Sequence, residues 1–169
     1  MVRRFLSAVL LLVSLACPSL SRSAQDKAVL ALQSQLIEIL KGKDTSGFLS
    51  LIGPSGVTFG VDADNEFKEQ VAEQFEQKRG AYCVLFDSKC LARETPRKRL
   101  SLPPCSAHDL ISRANGWSME HQADQHGGTS QTHLILKPNN EYCSNGKDPI
   151  EFVFTEFTAG WKLVAVGYE

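Results

Sequence analysis

The feature that most constrains the fold is a pair of extended segments on either side of Gly127-Gly128. Two glycines between such segments are typical of a two-residue β-hairpin turn. Pairing across this turn places Trp117 opposite Pro138, and it separates a mostly apolar face from a mostly polar one. That separation is expected when one side of an antiparallel pair packs on a core and the other faces water. The sequence therefore predicts a half-buried hairpin over residues 117–138.

The two faces of this hairpin carry the titratable candidates. Glu120, Asp124, His126 and His133 share the polar face, and carboxylates together with imidazoles can bind a divalent metal. An ordinary solvated sheet face explains the same residues. His121 lies on the apolar face and is the best general-base candidate, although a half-buried histidine is often satisfied by a structural hydrogen bond. The two sets project from opposite sides of the sheet, so they do not form one site.

Two further strands are predicted over residues 150–157 and 161–168, joined by a turn that ends at a glycine. Each segment has apolar residues on both faces. Phe152 and Phe154 are assigned to one face and Val166 to the other. Strands that are apolar on both sides are expected in the middle of a sheet.

The earlier segments have mainly helical periodicity. Asp26 is predicted to cap the first helix and Ser106 the last, because short polar side chains accept hydrogen bonds from the first turn of a helix. A proline-rich loop is predicted over residues 92–104. The predicted helices cover residues 26–41, 44–52, 64–80 and 107–114, and a short strand covers residues 57–61.

Residues 1–23 have the order of a secretory signal peptide. A short basic start precedes an apolar run over residues 5–16, which is too short to span a bilayer. Small residues follow, and cleavage is expected before Ala24, leaving one domain over residues 24–169 without a transmembrane segment. Cys17 offers an alternative processing site at which this cysteine would carry a lipid. The chain is therefore predicted to be exported, either periplasmic or secreted.

The cysteines agree with export. Without Cys17 four remain, and an even number in an exported chain suggests two disulfides. Three pairings are possible, and we favour Cys83–Cys90 with Cys105–Cys143. The stretch between Cys83 and Cys90 is long enough to turn back on itself. A single free catalytic cysteine is the alternative, and the absence of a CxxC pair gives little support to zinc or thioredoxin-type chemistry.

The net charge and the sequence motifs exclude several classes of function. The formal net charge of −1 gives no whole-protein electrostatic case for nucleic acid. Nucleotide-binding, zinc-protease and serine-hydrolase motifs are absent from the sequence, so no cofactor is expected. A basic cluster in the proline-rich loop is either an anion-binding site or a solvated surface. Its members are Arg93, Arg97, Lys98 and Arg99.

The order of helices, a short GVTFG strand, another helix and C-terminal strands ending in FVFTEFTAGWKLVAVGYE resembles the nuclear transport factor 2-like (cystatin-like cone) superfamily, over roughly residues 26–168. The resemblance implies an α+β fold with N-terminal helices packed on a curved, mainly antiparallel C-terminal sheet. It also implies a range of functions, from isomerases and dehydratases to non-catalytic binding domains. Catalytic members place an Asp or a His inside the cone, and no motif here identifies such a residue.

Two function classes follow. The first is an exported non-catalytic binding or accessory domain that recognises a protein or a cell-envelope ligand; periplasmic inhibitors of hydrolases and immunity proteins belong to it. The second is a small cone-fold enzyme of the isomerase or dehydratase type with a pocket around His121. A carboxylate close to His121 would favour the enzyme, whereas an interior filled by aromatic rings would favour the binding domain. The sequence favours the binding domain, because each recognisable group of residues has a sufficient structural role.

Overall fold

The computed structural model of the protein describes residues 19–60, 63–94, 105–113, 117–126, 129–138 and 149–168. Helices occupy the first part of the chain and the long strands occupy the second, which confirms the predicted α+β class. The helices in the described ranges are α1 (Ser19–Gly42), α2 (Thr45–Leu51), α3 (Lys68–Gln77), α4 (Ala81–Phe86), α5 (Ser88–Glu94) and α6 (Ala107–Ile111). The strands are β1 (Val57–Phe59), β2 (Asn65–Glu66), β3 (Trp117–His126), β4 (Thr129–Pro138), β5 (Ile150–Phe157) and β6 (Gly160–Gly167).

The strands form one curved sheet in the order β2-β1-β6-β5-β4-β3. β1 and β6 are parallel, and the other neighbouring strands are antiparallel. β5 and β6 lie in the interior of the sheet, as their two apolar faces predict, and β3 is an edge strand. Gly160, the first residue of β6, has a φ of 98°, a left-handed conformation that favours glycine.

The hairpin register is confirmed. Trp117 pairs with Pro138 and His126 pairs with Thr129, with every intervening pair in step. Leu134 and Leu136 are fully buried on the side that the helices cover. The hydrophobic pattern fixes this register, because a slip by one residue would turn both leucines into water.

The assignment of Val166 to the face opposite Phe152 is wrong. The two residues are cross-strand partners and both are fully buried, so they lie on the same face. A β-bulge at Val153/Phe154 shifts the register between β5 and β6. Such a bulge inserts an extra residue and breaks the strict alternation on which the prediction relied.

Several predicted helix boundaries also change. α1 begins at Ser19, so Asp26 does not cap it, although the helix ends at Gly42 as predicted. α3 begins only at Lys68, because Asn65–Glu66 pair with β1 as a short strand. α3 also ends before Gly80, since Lys78 adopts the left-handed conformation that closes a helix.

The segment from residue 81 to residue 94 forms α4 and α5, so the predicted loop over residues 92–104 is helical at its start. Residues 95–104 lie outside the described ranges. Ser106 caps α6 as predicted, with its Oγ accepting a hydrogen bond from the backbone N–H of Asp109. α6 ends at Ile111, three residues before the predicted end.

The core lies between the helices and one face of the sheet, and aromatic rings fill much of it. Phe48 of α2 is fully buried, and its ring centroid lies 5.9 Å from that of Phe75 and 6.4 Å from that of Phe86. Both contacts are edge-to-face, a favoured arrangement of aromatic rings. Phe152 and Phe154 supply the fully buried rings of the sheet side.

The structure contains the predicted Cys83–Cys90 disulfide, which joins α4 to α5 with the two Cα atoms 5.1 Å apart. Cys105 is also disulfide-bonded. Cys143, its predicted partner, lies outside the described residues, so that pairing stays a prediction. Cys17 lies outside them as well. No helix in the described ranges is long and apolar enough to cross a membrane.

Candidate functional site

His121 lies on the helix-facing side of the sheet by register, opposite Leu134. Its side chain is nevertheless exposed, whereas Leu134 is fully buried. The two side chains differ in exposure because β3 is an edge strand, with a neighbouring strand on one side only, whereas β4 lies between β3 and β5. No hydrogen bond or ion pair joins the His121 side chain to any carboxylate of the described residues. Within the described part of the chain, His121 therefore has no acidic side chain to orient it as a general base.

The opposite side of the hairpin, which we call the outer hairpin face, carries Glu120, Gln122, Asp124, Gln131, His133, Ile135 and Lys137. It continues onto β5 through Glu151, which lies opposite Ile135. Glu120, Gln122 and Asp124 are exposed. The face is therefore open to solvent over much of its area.

Among the described residues, an ion pair and a histidine–carboxylate hydrogen bond lie on the outer hairpin face. Lys137 Nζ lies 2.6 Å from Glu120 Oε2, and both side chains are largely exposed, so the pair contributes at most about 1 kcal/mol. His133 Nδ1 lies 2.8 Å from Glu151 Oε1. In that pair the imidazole Nδ1–H donates to the carboxylate. The other ring nitrogen, Nε2, is buried and has no hydrogen-bond partner among the described residues.

The structure describes the side chains of only some of the ligands proposed for the predicted metal site. Glu120 is engaged by Lys137 and His133 by Glu151, and Asp124 takes part in a further interaction. The side chain of His126 lies outside the described residues. Among the described side chains of this face, no three potential ligand atoms lie within 4.8 Å of one another. A metal site on the outer hairpin face stays a hypothesis.

The basic cluster is described only at its first member. Arg93 is exposed in the last turn of α5, where a positive charge is favourable at the negative end of the helix dipole. Arg97, Lys98 and Arg99 lie outside the described residues. Anion binding by this cluster therefore stays a prediction.

A polar network joins α5 to α6. Asp109 Oδ2 accepts a hydrogen bond from the backbone N–H of Ser88 at 3.3 Å, and Ser88 Oγ accepts one from the backbone N–H of Ser106 at 2.7 Å. Burial opposes ionisation of Asp109, but hydrogen bonds from Ser88 and Ser106 and the nearby His108 outweigh it. The pKa of Asp109 is therefore lowered. The sequence predicted the cap at Ser106 but gave no sign of Ser88.

His108 has a structural role next to this network. Its Nδ1 lies 2.9 Å from the backbone carbonyl oxygen of Leu40, at the end of α1. The contact ties α6 to the longest helix of the described chain. A histidine held in this way helps to fix the position of α6 relative to α1.

A second titratable group that sequence analysis missed is Tyr168, after β6. Its ring packs on the Cys83–Cys90 cluster, and burial, followed by the charges of Glu66 and Glu94, raises its pKa above the ordinary value of 10.0. The tyrosine therefore stays neutral at physiological pH. No local sequence pattern links these residues, because they come from β2, α4, α5 and the residue that follows β6.

Comparison with known proteins found similar solved structures at low sequence identity. No family model and no curated protein sequence matches the chain. A protein named Rd1NTF2_05 is similar at 14% identity, covering 89% of this chain and 100% of that one, with a TM-score of 0.43. An NTF2-like protein from Cytophaga hutchinsonii is similar at 12% identity, covering 85% of this chain and 96% of that one, with a TM-score of 0.43.

A domain of unknown function with a cystatin-like fold, from Nostoc punctiforme, is similar at 14% identity. It covers 86% of this chain and 76% of that one, with a TM-score of 0.42. Two of these three solved structures are thus described as an NTF2-like protein and as a domain with a cystatin-like fold.

Proposed function

We propose that this chain is an exported, non-catalytic binding or accessory domain of the cell envelope, and that it binds its partner through the outer hairpin face. The observation that carries the proposal is the packing of the described interior. The rings of Phe48, Phe75 and Phe86 come from three helices and contact one another in the interior, and an interior filled by aromatic rings favours a binding domain over an enzyme. His121, the candidate base, is exposed at the edge of the sheet.

The outer hairpin face supports the binding part of the proposal. Glu120, Asp124 and Glu151 give it an acidic character that Lys137 offsets only in part. A solvent-exposed face built on two paired strands is rigid, and a rigid face loses little conformational entropy when it binds. A partner with a basic, hydrogen-bonding surface suits this chemistry. Hydrolases that an inhibitor or immunity protein blocks are one class of such partner.

Charge reversal on this face tests the proposal. The Glu120→Lys/Asp124→Lys variant should fail to restore the wild-type phenotype to a deletion strain. Its unfolding midpoint should differ from that of the wild type by no more than surface substitutions usually cause. Glu76→Lys, a reversal at an exposed position of α3, is the matched control and should restore the phenotype. Full complementation by the folded Glu120→Lys/Asp124→Lys variant would exclude the outer hairpin face as the binding surface.

A further inference from the structure

β3 leaves one edge of the sheet open along its whole length. The strand order ends at β3, its ten residues all pair with β4, and the described ranges place no strand on its other side. The side chains from Glu120 to Asp124 are exposed. At the opposite end of the sheet, β2 has only two residues. A long open edge is a template on which another strand can pair.

Several devices that usually prevent such pairing are missing from β3. Proteins protect their edge strands with proline, lysine, a bulge or a very short strand. The sequence of β3, WSMEHQADQH, has neither proline nor lysine, and its pairing with β4 has no bulge. We propose that a second copy of this chain pairs with this edge, β3 antiparallel to β3, about a two-fold axis at His121. The two sheets then form one continuous sheet.

The backbone of β3 favours this axis. A two-residue turn makes its closing pair, His126 and Thr129, a hydrogen-bonded pair, and hydrogen-bonded pairs alternate with non-bonded ones along the ladder. The odd-numbered residues of β3 therefore direct their N–H and C=O groups away from β4. A two-fold axis at His121 places odd residues opposite odd residues over positions 117–125. About ten main-chain hydrogen bonds then join the two copies, the number that a typical stable interface has.

The charges of β3 select this register. Glu120 lies opposite Gln122 of the second copy, and Asp124 lies opposite Ser118. A slip by two residues in one direction would place Glu120 opposite Asp124, and the same slip in the other direction would place Glu120 opposite its own copy. Like charges directly opposite one another destabilise a strand pair. The two acidic residues therefore specify the pairing instead of blocking it.

The helix-facing side of β3 gains contacts in the same register. Met119, which packs against the core and is only partly buried, lies opposite Ala123 of the second copy on both sides of the axis. The two His121 side chains meet at the axis itself. A neutral imidazole has one donor and one acceptor nitrogen, so each ring is complementary to the other. On the other side, the two outer hairpin faces become one surface of four strands.

Sedimentation equilibrium of the purified protein tests the proposal. At about 100 μM, where even a micromolar dimer is nearly saturated, the wild type should have twice the monomer mass. Ala123→Pro removes an N–H group that faces the open edge, a position where strands tolerate proline, and should be a monomer. Ala123→Ser keeps this N–H group and should remain a dimer. A monomeric wild type would overturn the proposal, as would a dimeric Ala123→Pro variant that circular dichroism shows to be folded.

Cysteine cross-linking tests the register. The two Cα atoms at position 121 should lie about 5.5 Å apart, within reach of a disulfide, so His121→Cys should give a covalent dimer under mild oxidation. In the matched control, Gln122→Cys, the two positions are diagonal and about 7–8 Å apart, so this variant should not cross-link. Non-reducing gels and peptide mapping measure both.

Failure of His121→Cys to cross-link, or equal cross-linking of Gln122→Cys, would overturn the proposal. This comparison decides the question even where Ala123→Pro does not fold. Both experiments use the purified chain alone, so their results are independent of the complementation that tests the outer hairpin face.

Discussion

The imidazole Nδ1 of His133 on β4 lies 2.8 Å from the carboxylate Oε1 of Glu151 on β5. The two residues are diagonal neighbours, because His133 pairs with Val153 and Glu151 pairs with Ile135. Diagonal neighbours on one face are within reach of long side chains. The contact joins the hairpin to the interior of the sheet, and it makes the outer hairpin face continuous across three strands.

We predict that this pair has a modest, measurable coupling. Both side chains are partly solvated, so the coupling in a double-mutant cycle of His133→Ala and Glu151→Ala should be about 0.5–1 kcal/mol in the free energy of unfolding. Denaturant unfolding of the four proteins measures it. Strictly additive single substitutions would show that the contact is absent in solution.

The hydrogen bonds around Asp109 predict that the free energy of unfolding depends on pH. Its pKa in the folded protein lies below the ordinary 3.8, so the carboxylate stabilises the fold above that value and this contribution is lost as the pH falls through the lower, folded-state pKa. Asp109→Asn should therefore cost about 1 kcal/mol or less at pH 7, where the side chain is partly solvated.

The difference between Asp109→Asn and wild type should shrink below about pH 4, where the unfolded wild-type carboxyl takes up its proton. Urea unfolding at a series of pH values checks this. Asp64→Asn, at an exposed position before α3, is the control and should show a much smaller difference at pH 7. A difference for Asp109→Asn that stays constant down to pH 2 would contradict the account.

The aromatic interior predicts that Phe48→Ala strongly destabilises the folded protein. The side chain is fully buried among Phe59, Phe75 and Phe86, so its removal leaves a cavity and should lower the free energy of unfolding by about 3–5 kcal/mol. Leu30→Ala, at a position 61% exposed on α1, should change it by less than about 0.5 kcal/mol. Comparable effects at the two positions would show that the interior is not packed as described.

The disulfide prediction is checked by peptide mapping without reduction. We expect a Cys83–Cys90 peptide and a Cys105–Cys143 peptide. Simultaneous replacement of Cys105 and Cys143 opens a loop of about 39 residues and should cost about 3–4 kcal/mol in the chain-entropy model. A peptide linking Cys83 to Cys143 would refute the pairing.

Export is checked at the N-terminus. Mass spectrometry of the protein from the periplasm or medium should find a mature start near Ala24, or a lipid on Cys17. Cleavage before Ala24 would fall within the first turns of α1, which begins at Ser19. An intact Met1 in a soluble cytoplasmic protein would contradict export.

The features that sequence predicted well depend on strict periodicity. The hairpin register followed from Gly127-Gly128 and from the alternation that buries Leu134 and Leu136. Val166 was misplaced because a β-bulge interrupts that alternation, and a bulge leaves no mark in the hydrophobic pattern. Asp26 resembled a cap, but local capping preference is weak beside the continuation of α1.

The candidate sites were harder to predict because they join distant parts of the chain. The Asp109–Ser88 contact spans 21 residues, and Tyr168 packs on the Cys83–Cys90 cluster from a distant part of the chain. The face of His121 was predicted correctly, but its exposure was not. Exposure depends on which strand lies at the edge of the sheet, and that is a property of the whole topology.

The most direct measurement of the central claim is complementation of a deletion strain by His121→Ala, with the free energy of unfolding measured on the same protein. The account predicts wild-type complementation with a change in stability of less than about 1 kcal/mol, because the side chain is exposed and the described residues give it no carboxylate to act with. Loss of the phenotype with unchanged stability would contradict the binding-domain account and would point to catalysis at His121.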